Sequence, residues 1–459
     1  MRFKAATAVL FGAVLSTTLV GQQKQAPPEG APPKPFRAPV RDTSTLSNGF
    51  RITSARYGLI PKINVELIIR GGYVSEPQAK QGVSLLLGEL MKEGTETRSA
   101  EQVAQEAASI GGVIDVRVGP DQIAVHGEAL SDGAAKLVDL LADVALHPKL
   151  PESELARLKK DQLRNIAISK STPRIMAAQE FLKIVYGDTG YGHAVPDEKT
   201  LEAVTIADIK AYYSQYFVPT NAILYVTGVF DSSLRKAIQQ SFDNWAKAPA
   251  PSVPDVKART VHTLQVVDRP GASQSTLYLG VPVIMPNNRD YIPLEVADSI
   301  LGGSFMSRIV TNIREQKGYT YSPYSQIEMN ADNGVWAQHA DVTTKYTGAS
   351  LTEIFGEIDK LRKQPPPEEE LRGIQNGMAG IFVLRNSSRQ GIINILKFVD
   401  LHRLPSNYVD NYIPTVFAVK PPEVQGMMEK YIDPKKMTIV VVGDKTQIDS
   451  QLAPFKPSS

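Results

Sequence analysis

The sequence predicts an α+β protein built as two homologous domains in one chain, each an antiparallel-rich sheet covered by helices. Three observations carry this reading. First, residues 203–228 and 418–443 match without a gap: Ala203, Val204, Tyr216, Pro219, Val226 and Gly228 meet identical residues at 418, 419, 431, 434, 441 and 443, a constant offset of 215 (418 less 203). A match of that length implies a duplicated unit. Second, each copy reads as a helix, a proline turn that stops it, and a short β-rich strand ended by glycine. Third, each half starts with strands, continues with helices and closes on a strand, which favours α+β over an alternating βαβ order.

Taken in order, residues 1–21 read as a secretory signal. Arg2 and Lys4 form a basic start, and 5–21 is an uncharged, mostly apolar run. Its apolar part is short of the roughly 20 residues that a membrane span needs, so an exported, periplasmic chain with no span after signal removal is expected. Residues 22–43 form a proline-rich segment expected to be disordered, its core at 26–39 favouring extended polyproline backbone. The first domain is placed at 44–246. Asn48-Gly49 marks a tight turn, 63–69 alternates as a strand, and 99–110, 133–145 and 152–168 read as helices. Pro249, Pro251 and Pro254 mark a linker at 247–259, which would permit hinge motion. The second domain is placed at 260–457, with strands at 263–267 and 275–281 and a helix at 351–361.

Composition removes several function classes. Of 459 residues, 50 are Lys or Arg and 48 are Asp or Glu; without Arg2 and Lys4 the balance is 48 against 48. No basic field remains to attract nucleic acid. There is no cysteine, hence neither a disulfide nor a thiolate metal ligand. The six histidines are His126, His147, His193, His262, His339 and His402. No two lie within five residues, so none forms a local metal-binding pair. His126 reads as a strand residue and His147 as a loop residue before Pro148, and none reads as a general base with a visible acid partner.

One stretch carries the strongest functional signal. Residues 82–95 read Gly-Val-Ser-Leu-Leu-Leu-Gly-Glu-Leu-Met-Lys-Glu-Gly-Thr. This frame resembles the metal-site helix of the pitrilysin, insulinase and mitochondrial processing peptidase family, Gly-x-x-His-x-x-Glu-His-x-x-x-x-Gly-Thr. In that family the two histidines, one helical turn apart, bind zinc, and the glutamate polarises the attacking water. The resemblance places Leu85 and Glu89 at the histidine positions and Gly88 at the glutamate. Leucine offers no lone pair and glycine no side chain. The third ligand falls in the window 159–166, which holds Asp161 and no glutamate. The metal motif is therefore degenerate, and no cofactor is expected on this chain. Glu89 and Glu93, four apart, are helix neighbours; they read either as an acidic cavity wall or as a solvated face.

The likeness covers about residues 44–457. Thr45-Leu-Ser-Asn-Gly-Phe-Arg-Ile52 is similar to the family's opening strand, and Ile69-Arg-Gly-Gly-Tyr-Val-Ser-Glu76 to the approach to its metal helix. Leu301-Gly-Gly-Ser-Phe-Met-Ser-Arg308 and Ile313-Arg-Glu-Gln-Lys-Gly-Tyr-Thr-Tyr321 resemble its Leu-Gly-Gly…Ser-Arg…Arg-Glu-x-x-Gly-x-x-Tyr signature. The resemblance implies bowl-like domains around a peptide chamber, with Arg314 and Tyr321 as substrate-binding residues. It also implies that Gly302, Gly303 and Gly318 let the backbone approach a peptide, and that Arg308 holds the glycine loop through backbone carbonyls. Taken without the family, Arg314 reads as a surface arginine paired with Glu315, and Tyr321 as a strand aromatic packed on the core.

The role implied by this resemblance is that of the non-catalytic, substrate-binding subunit of a heterodimeric or heterotetrameric periplasmic zinc endopeptidase. A zinc-bearing homologous subunit would be its partner and an extended peptide its substrate. Alone, the chain would be inactive. The alternative is a scaffold or peptide-binding protein with the same fold.

Overall fold

The offset of 215 residues in the sequence is a spatial repeat. The computed structural model describes residues 36–457; the expected signal segment and residues 22–35 of the proline-rich segment lie outside the described residues. Among the described residues there are two sheets. The first contains β1 (Arg41–Thr45), β2 (Arg51–Arg56), β3 (Lys62–Arg70), β4 (Val113–Val118), β5 (Gln122–Leu130) and β6 (Ala222–Gly228), in the order β1-β2-β6-β3-β5-β4. The second contains β7 (Thr263–Asp268), β8 (Gln274–Val283), β9 (Tyr324–Met329), β10 (Gly334–Thr343) and β11 (Thr438–Gly443), in the order β7-β11-β8-β10-β9. Without β1 the two orders are the same. In each, the closing strand runs parallel to the opening one, β6 beside β2 and β11 beside β7, and every other pairing is antiparallel.

The repeat holds at the level of single elements. Helices Ile206–Tyr216 and Pro421–Tyr431 begin 215 residues apart, and so do the short 3-10 turns Pro219–Asn221 and Pro434–Lys436. Proline fits these first-turn positions because its missing N–H would be unpaired there anyway. At the Asn48-Gly49 turn, Gly49 has φ +93°, and a Cβ there would meet Thr220 Cγ2 at 2.9 Å. The Asn48 side chain donates to the Phe242 carbonyl at 2.8 Å and so ties the hairpin to the end of the same half.

Each half keeps most of its helices on one face of its own sheet. There they bury the two large cores, one around Leu67, Leu87, Leu137 and Phe242 and the other around Leu279, Ile313, Trp336 and Ile354. The opposite faces are covered by exchange. Helix Pro173–Tyr186 of the first half lies on the second sheet, where Ala177, Phe181 and Val185 pack with Tyr278, Ala337, Val440 and Val442. The rings of Phe181 and Tyr278 are 4.5 Å apart. Helix Arg389–Leu401 of the second half lies on the first sheet, with Ile392, Ile393 and Leu396 against Ala55, Ile68, Ala124, Ile223 and Tyr225. These two helices are themselves repeat equivalents. Polar contacts lock the exchange: Lys397 to Glu66 at 2.6 Å, Arg389 to Asn64 at 2.9 Å, and Arg174 to Asp341 at 2.7 Å.

One expectation is corrected here, and the linker is tied down at its C-terminal end. Ala258 N–H donates to Asn333 at 2.7 Å and the Arg259 side chain donates to the Ile184 carbonyl at 2.9 Å. Opening the halves would also strip both exchanged helices from their sheets. The segment expected to be disordered to residue 43 is ordered before that. β1 starts at Arg41, the Phe36 ring meets Phe382 edge-on at 5.4 Å, and Ala38 N–H donates to Asp410 at 3.0 Å. No helix among the described residues is long and apolar enough to cross a membrane.

Candidate functional site

The degenerate motif lies on helix Val83–Met91. Its N-cap, Gly82, has φ +90°, and the carboxylate of Glu76 caps the exposed amides. Glu76 accepts from Gly82 N–H at 2.7 Å and Ser84 N–H at 2.8 Å, and from the Ser84 hydroxyl. Burial pushes the Glu76 carboxyl up to about 7, against the pull of those three donors. Leu86, Leu87, Leu90 and Met91 face the core, while Leu85 and Glu89, one turn apart, share the half-exposed side.

Gly88 is buried, and the reason is β4. A Cβ on Gly88 would meet Val118 Cγ2 at 2.6 Å, with Val116 Cγ1 at 3.8 Å. The space that a glutamate side chain would occupy is filled by two valines. Glu89 pairs with Lys92 at 3.2 Å, and Lys92 also approaches Asp115 at 3.7 Å. Glu93 pairs with Arg157 on helix Glu152–Ser171. Asp161, in the window of the third ligand, lies on that helix between Arg157 at 3.4 Å and Arg164 at 3.1 Å. Glu89 and Glu93 are thus ion-paired rather than walls of an acidic cavity. The family's zinc does not fit the side chains present, because the positions hold an alkyl group, no side chain, and one neutralised carboxylate. Among the described residues no group of three or more His, Cys, Asp or Glu could hold a metal ion.

Two histidines do have acid partners, contrary to the sequence reading. His193 Nε2 lies 3.0 Å from Asp188 and His339 Nε2 lies 3.3 Å from Glu328. His339 is wedged against the rings of Tyr278 and Tyr324, at 4.1 and 4.6 Å, and Glu328 also accepts from Tyr278 at 3.1 Å. This is a structural cluster under the exchanged helix.

The second-half residues are brought together. Arg314 lies on the π-helical segment Val310–Gln316, a rare geometry that is frequent at functional sites. Its Cζ is 4.5 Å from the centre of the Phe305 ring and 5.0 Å from that of Tyr321. Its Nε faces Glu315 at 3.1 Å, and among the described residues no acceptor engages its Nη groups. Gly318, at φ +65°, turns the chain after this segment and brings Tyr321 back beside Arg314. Tyr321 is 81% exposed, so it is not the core-packed aromatic that its strand-like setting suggested; Phe305 is 66% and Met306 77% exposed. The Glu315 pairing read from the sequence is present, and the aromatic contacts are added to it.

Gly302 and Gly303 are closely packed by their own chain, and Arg308 has another partner than expected. A Cβ on Gly302 would meet Ser325 Oγ at 2.5 Å and Gln338 Oε1 at 2.7 Å, and one on Gly303 would meet Asp298 Oδ2 at 2.5 Å. The close approach that the structure shows at these two glycines is to Ser325, Gln338 and Asp298. Asp298 accepts from Ser325 Oγ and, at 2.7 Å, from Trp336 Nε1, and burial pushes its carboxyl up to about 6. Arg308 binds Glu370 through both Nε (2.8 Å) and Nη2 (2.7 Å) rather than backbone carbonyls. Phe305 was not singled out in the sequence. The available signal was a large apolar residue in a Gly-Gly-Ser loop, where no core position exists to bury it.

Fold and site together define a two-domain chain of zinc-peptidase type whose metal helix has lost its ligands. Residues 56–197 match the family model described as insulinase, peptidase family M16, and residues 203–378 match that of the peptidase M16 inactive domain. The chain belongs to the M16 peptidase family. A Bacillus subtilis protein named as an uncharacterized zinc protease, YmxG, is 25% identical over 347 residues, 74% of this chain and 83% of its own. A Streptomyces coelicolor protein, also named as an uncharacterized zinc protease, is 22% identical over 412 residues, 88% and 89% of the two chains. Two solved structures share the fold. A peptidase M16 inactive domain from Pseudomonas fluorescens superposes with TM-score 0.82 at 24% identity, covering 88% of this chain and 98% of that one. A Helicobacter pylori protease gives 0.81 at 18% identity, covering 89% and 100%.

Proposed function

We propose that this chain is the non-catalytic, substrate-binding subunit of a two-chain zinc endopeptidase acting on unfolded peptides in an exported compartment. The observation that carries the reading is a contrast within one molecule. The metal-helix positions Leu85, Gly88 and Glu89 cannot build a zinc site, whereas Arg314, partly buried, stays in contact with Tyr321, which faces solvent. A protein kept only as a scaffold has no need of an exposed tyrosine against an arginine whose Nη groups meet no acceptor among the described residues. Arg314 offers a planar donor fork and Tyr321 a donor on a rigid ring. Both suit a peptide carbonyl, and they would steady the oxyanion that forms when it is attacked. The zinc, its ligands and the general base would belong to a homologous partner chain.

The test uses a quenched-fluorescent unfolded peptide. The pure chain with added zinc should not cleave it. A homologous chain with an intact metal motif should co-purify from the exported fraction, and the complex should cleave. In that complex Arg314→Ala should lower turnover by tens- to thousandfold, as for loss of one transition-state donor. Zinc-dependent turnover by the pure chain would overturn the proposal. Recovery of no zinc-bearing relative would favour the scaffold reading.

A further inference from the structure

We infer that Phe305 is a positioning residue for Arg314: its ring fixes the guanidinium in the orientation that receives the peptide carbonyl. The inference rests on the substrate-binding reading of Arg314 given above.

An arginine side chain carries about 2 kcal/mol of rotamer entropy, and a donor held in place before the reaction works better than one that must be ordered during it. Arg314 is restrained at three points. Glu315 holds Nε at 3.1 Å, and Phe305 and Tyr321 contact the guanidinium at 4.5 and 5.0 Å. Of the two rings, Phe305 is the nearer, and it has no hydroxyl to offer a substrate carbonyl. Lacking a donor of its own, it can act on that carbonyl's hydrogen bonding only through Arg314.

The loop that carries Phe305 is itself anchored. Gly303 sits against Asp298, which Ser325 and Trp336 hold from below, and Gly302 sits against Ser325 and Gln338. Ser307 N–H closes the turn onto the Ser304 carbonyl at 3.1 Å. A fixed loop therefore holds an apolar ring two-thirds exposed to water, a placement that burial alone would not favour. Its close contact with a guanidinium supplies the reason.

The test compares Phe305→Leu, Phe305→Tyr and Arg314→Ala in the complex with the zinc-bearing chain, on the same quenched peptide. Assembly is measured separately by sedimentation. Phe305→Leu should lower kcat about three- to thirtyfold, the range of a partly desolvated cation–π contact, with KM and assembly nearly unchanged. Phe305→Tyr should restore kcat to within about twofold, because the π face is kept. In the isolated chain, Phe305→Leu should move the Arg314 side-chain Nε–H resonance. Equal turnover by Phe305→Leu and the native complex, with Arg314→Ala impaired, would overturn the positioning role alone. So would equal loss in the leucine and tyrosine variants, or loss that tracks weaker assembly. An Arg314→Ala complex with native turnover would instead remove the substrate-binding reading and this inference with it.

Discussion

A Cβ on Gly88 would stand 2.6 Å from Cγ2 of Val118, closer than two carbon atoms can approach. Helix propensity alone says that alanine at this position should stabilise by about 1 kcal/mol. The contact with β4 reverses the sign. Gly88→Ala should destabilise by about 1–3 kcal/mol, the usual cost of overpacking, and Val118→Ala added to it should recover part of the loss. Urea denaturation decides between the two signs. The same contact makes the metal site hard to rebuild. The triple variant Leu85→His, Gly88→Glu, Glu89→His should retain no stoichiometric zinc after dialysis, read by elemental analysis. A fully loaded, native-stability triple variant would show that β4 yields.

The sequence made legible what depends on local order or on repetition. The 215-residue offset placed helix Ile206–Tyr216, the turn at Pro219 and strand β6 on their counterparts in the second half. The motif frame located Arg314 and Tyr321. What stayed hidden depends on contacts between residues far apart in the chain. Nothing local to Pro173–Tyr186 says that Phe181 will rest on Tyr278, nearly a hundred residues on. The partner of Arg308 is Glu370, 62 residues away, so a nearby backbone partner was the natural but wrong reading. Gly302 and Gly303 carry no mark that separates room for a peptide from room for Ser325 and Asp298. Tyr321 sits in an alternating, strand-like pattern, and only the turn at Gly318 puts it outside the core.

The helix exchange gives Glu66 and Lys397 an energetic role. The Glu66 side chain is 6% exposed, and it accepts from Lys397 at 2.6 Å and from Gln390 at 2.7 Å, both on the exchanged helix. Lys397→Met keeps the apolar stem and removes the charge, leaving a buried carboxylate with one neutral donor. Loss of one partner from such a pair costs about 3 kcal/mol or more. Glu66→Gln with Lys397→Met should recover much of it, because no unpaired charge remains. Urea denaturation of the two variants checks this, and a single-variant loss below about 0.5 kcal/mol would mean that Glu66 reaches solvent.

Arg314 and Tyr321 should differ in the size of their effects. Tyr321→Phe keeps the ring that contacts Arg314 and removes only the hydroxyl. It should therefore leave Arg314 in place and cost the complex one donor to the substrate, about tenfold or more in kcat. Arg314→Lys keeps the charge but loses the fork and the flat face, and it should behave more like Arg314→Ala than like the native residue. Steady-state turnover of the assembled complex reads both. Native kcat for Tyr321→Phe would remove the hydroxyl from the mechanism.

Beneath the Phe305 loop, Asp298 makes stability depend on pH in an unusual direction. Burial raises its carboxyl to about 6, against the two hydrogen bonds from Ser325 and Trp336. In the unfolded chain the group titrates near the ordinary aspartate value of about 4. Between these values the folded protein holds a proton that the unfolded chain has released. The contribution of Asp298 is therefore complete below about pH 4, falls as pH rises, and levels off above about pH 6. Asp298→Asn keeps an acceptor for both donors and cannot titrate. The stability of this variant relative to the native protein should rise between about pH 4 and pH 7, by on the order of 2 kcal/mol. Urea denaturation of both proteins at the two pH values measures the difference, in which groups not coupled to Asp298 cancel; the Asp298 charge also raises the buried Glu295 carboxyl, so Glu295→Gln is added to both proteins to isolate Asp298. A difference that falls with pH would mean that the hydrogen bonds outweigh burial and that Asp298 is charged at the base of the loop.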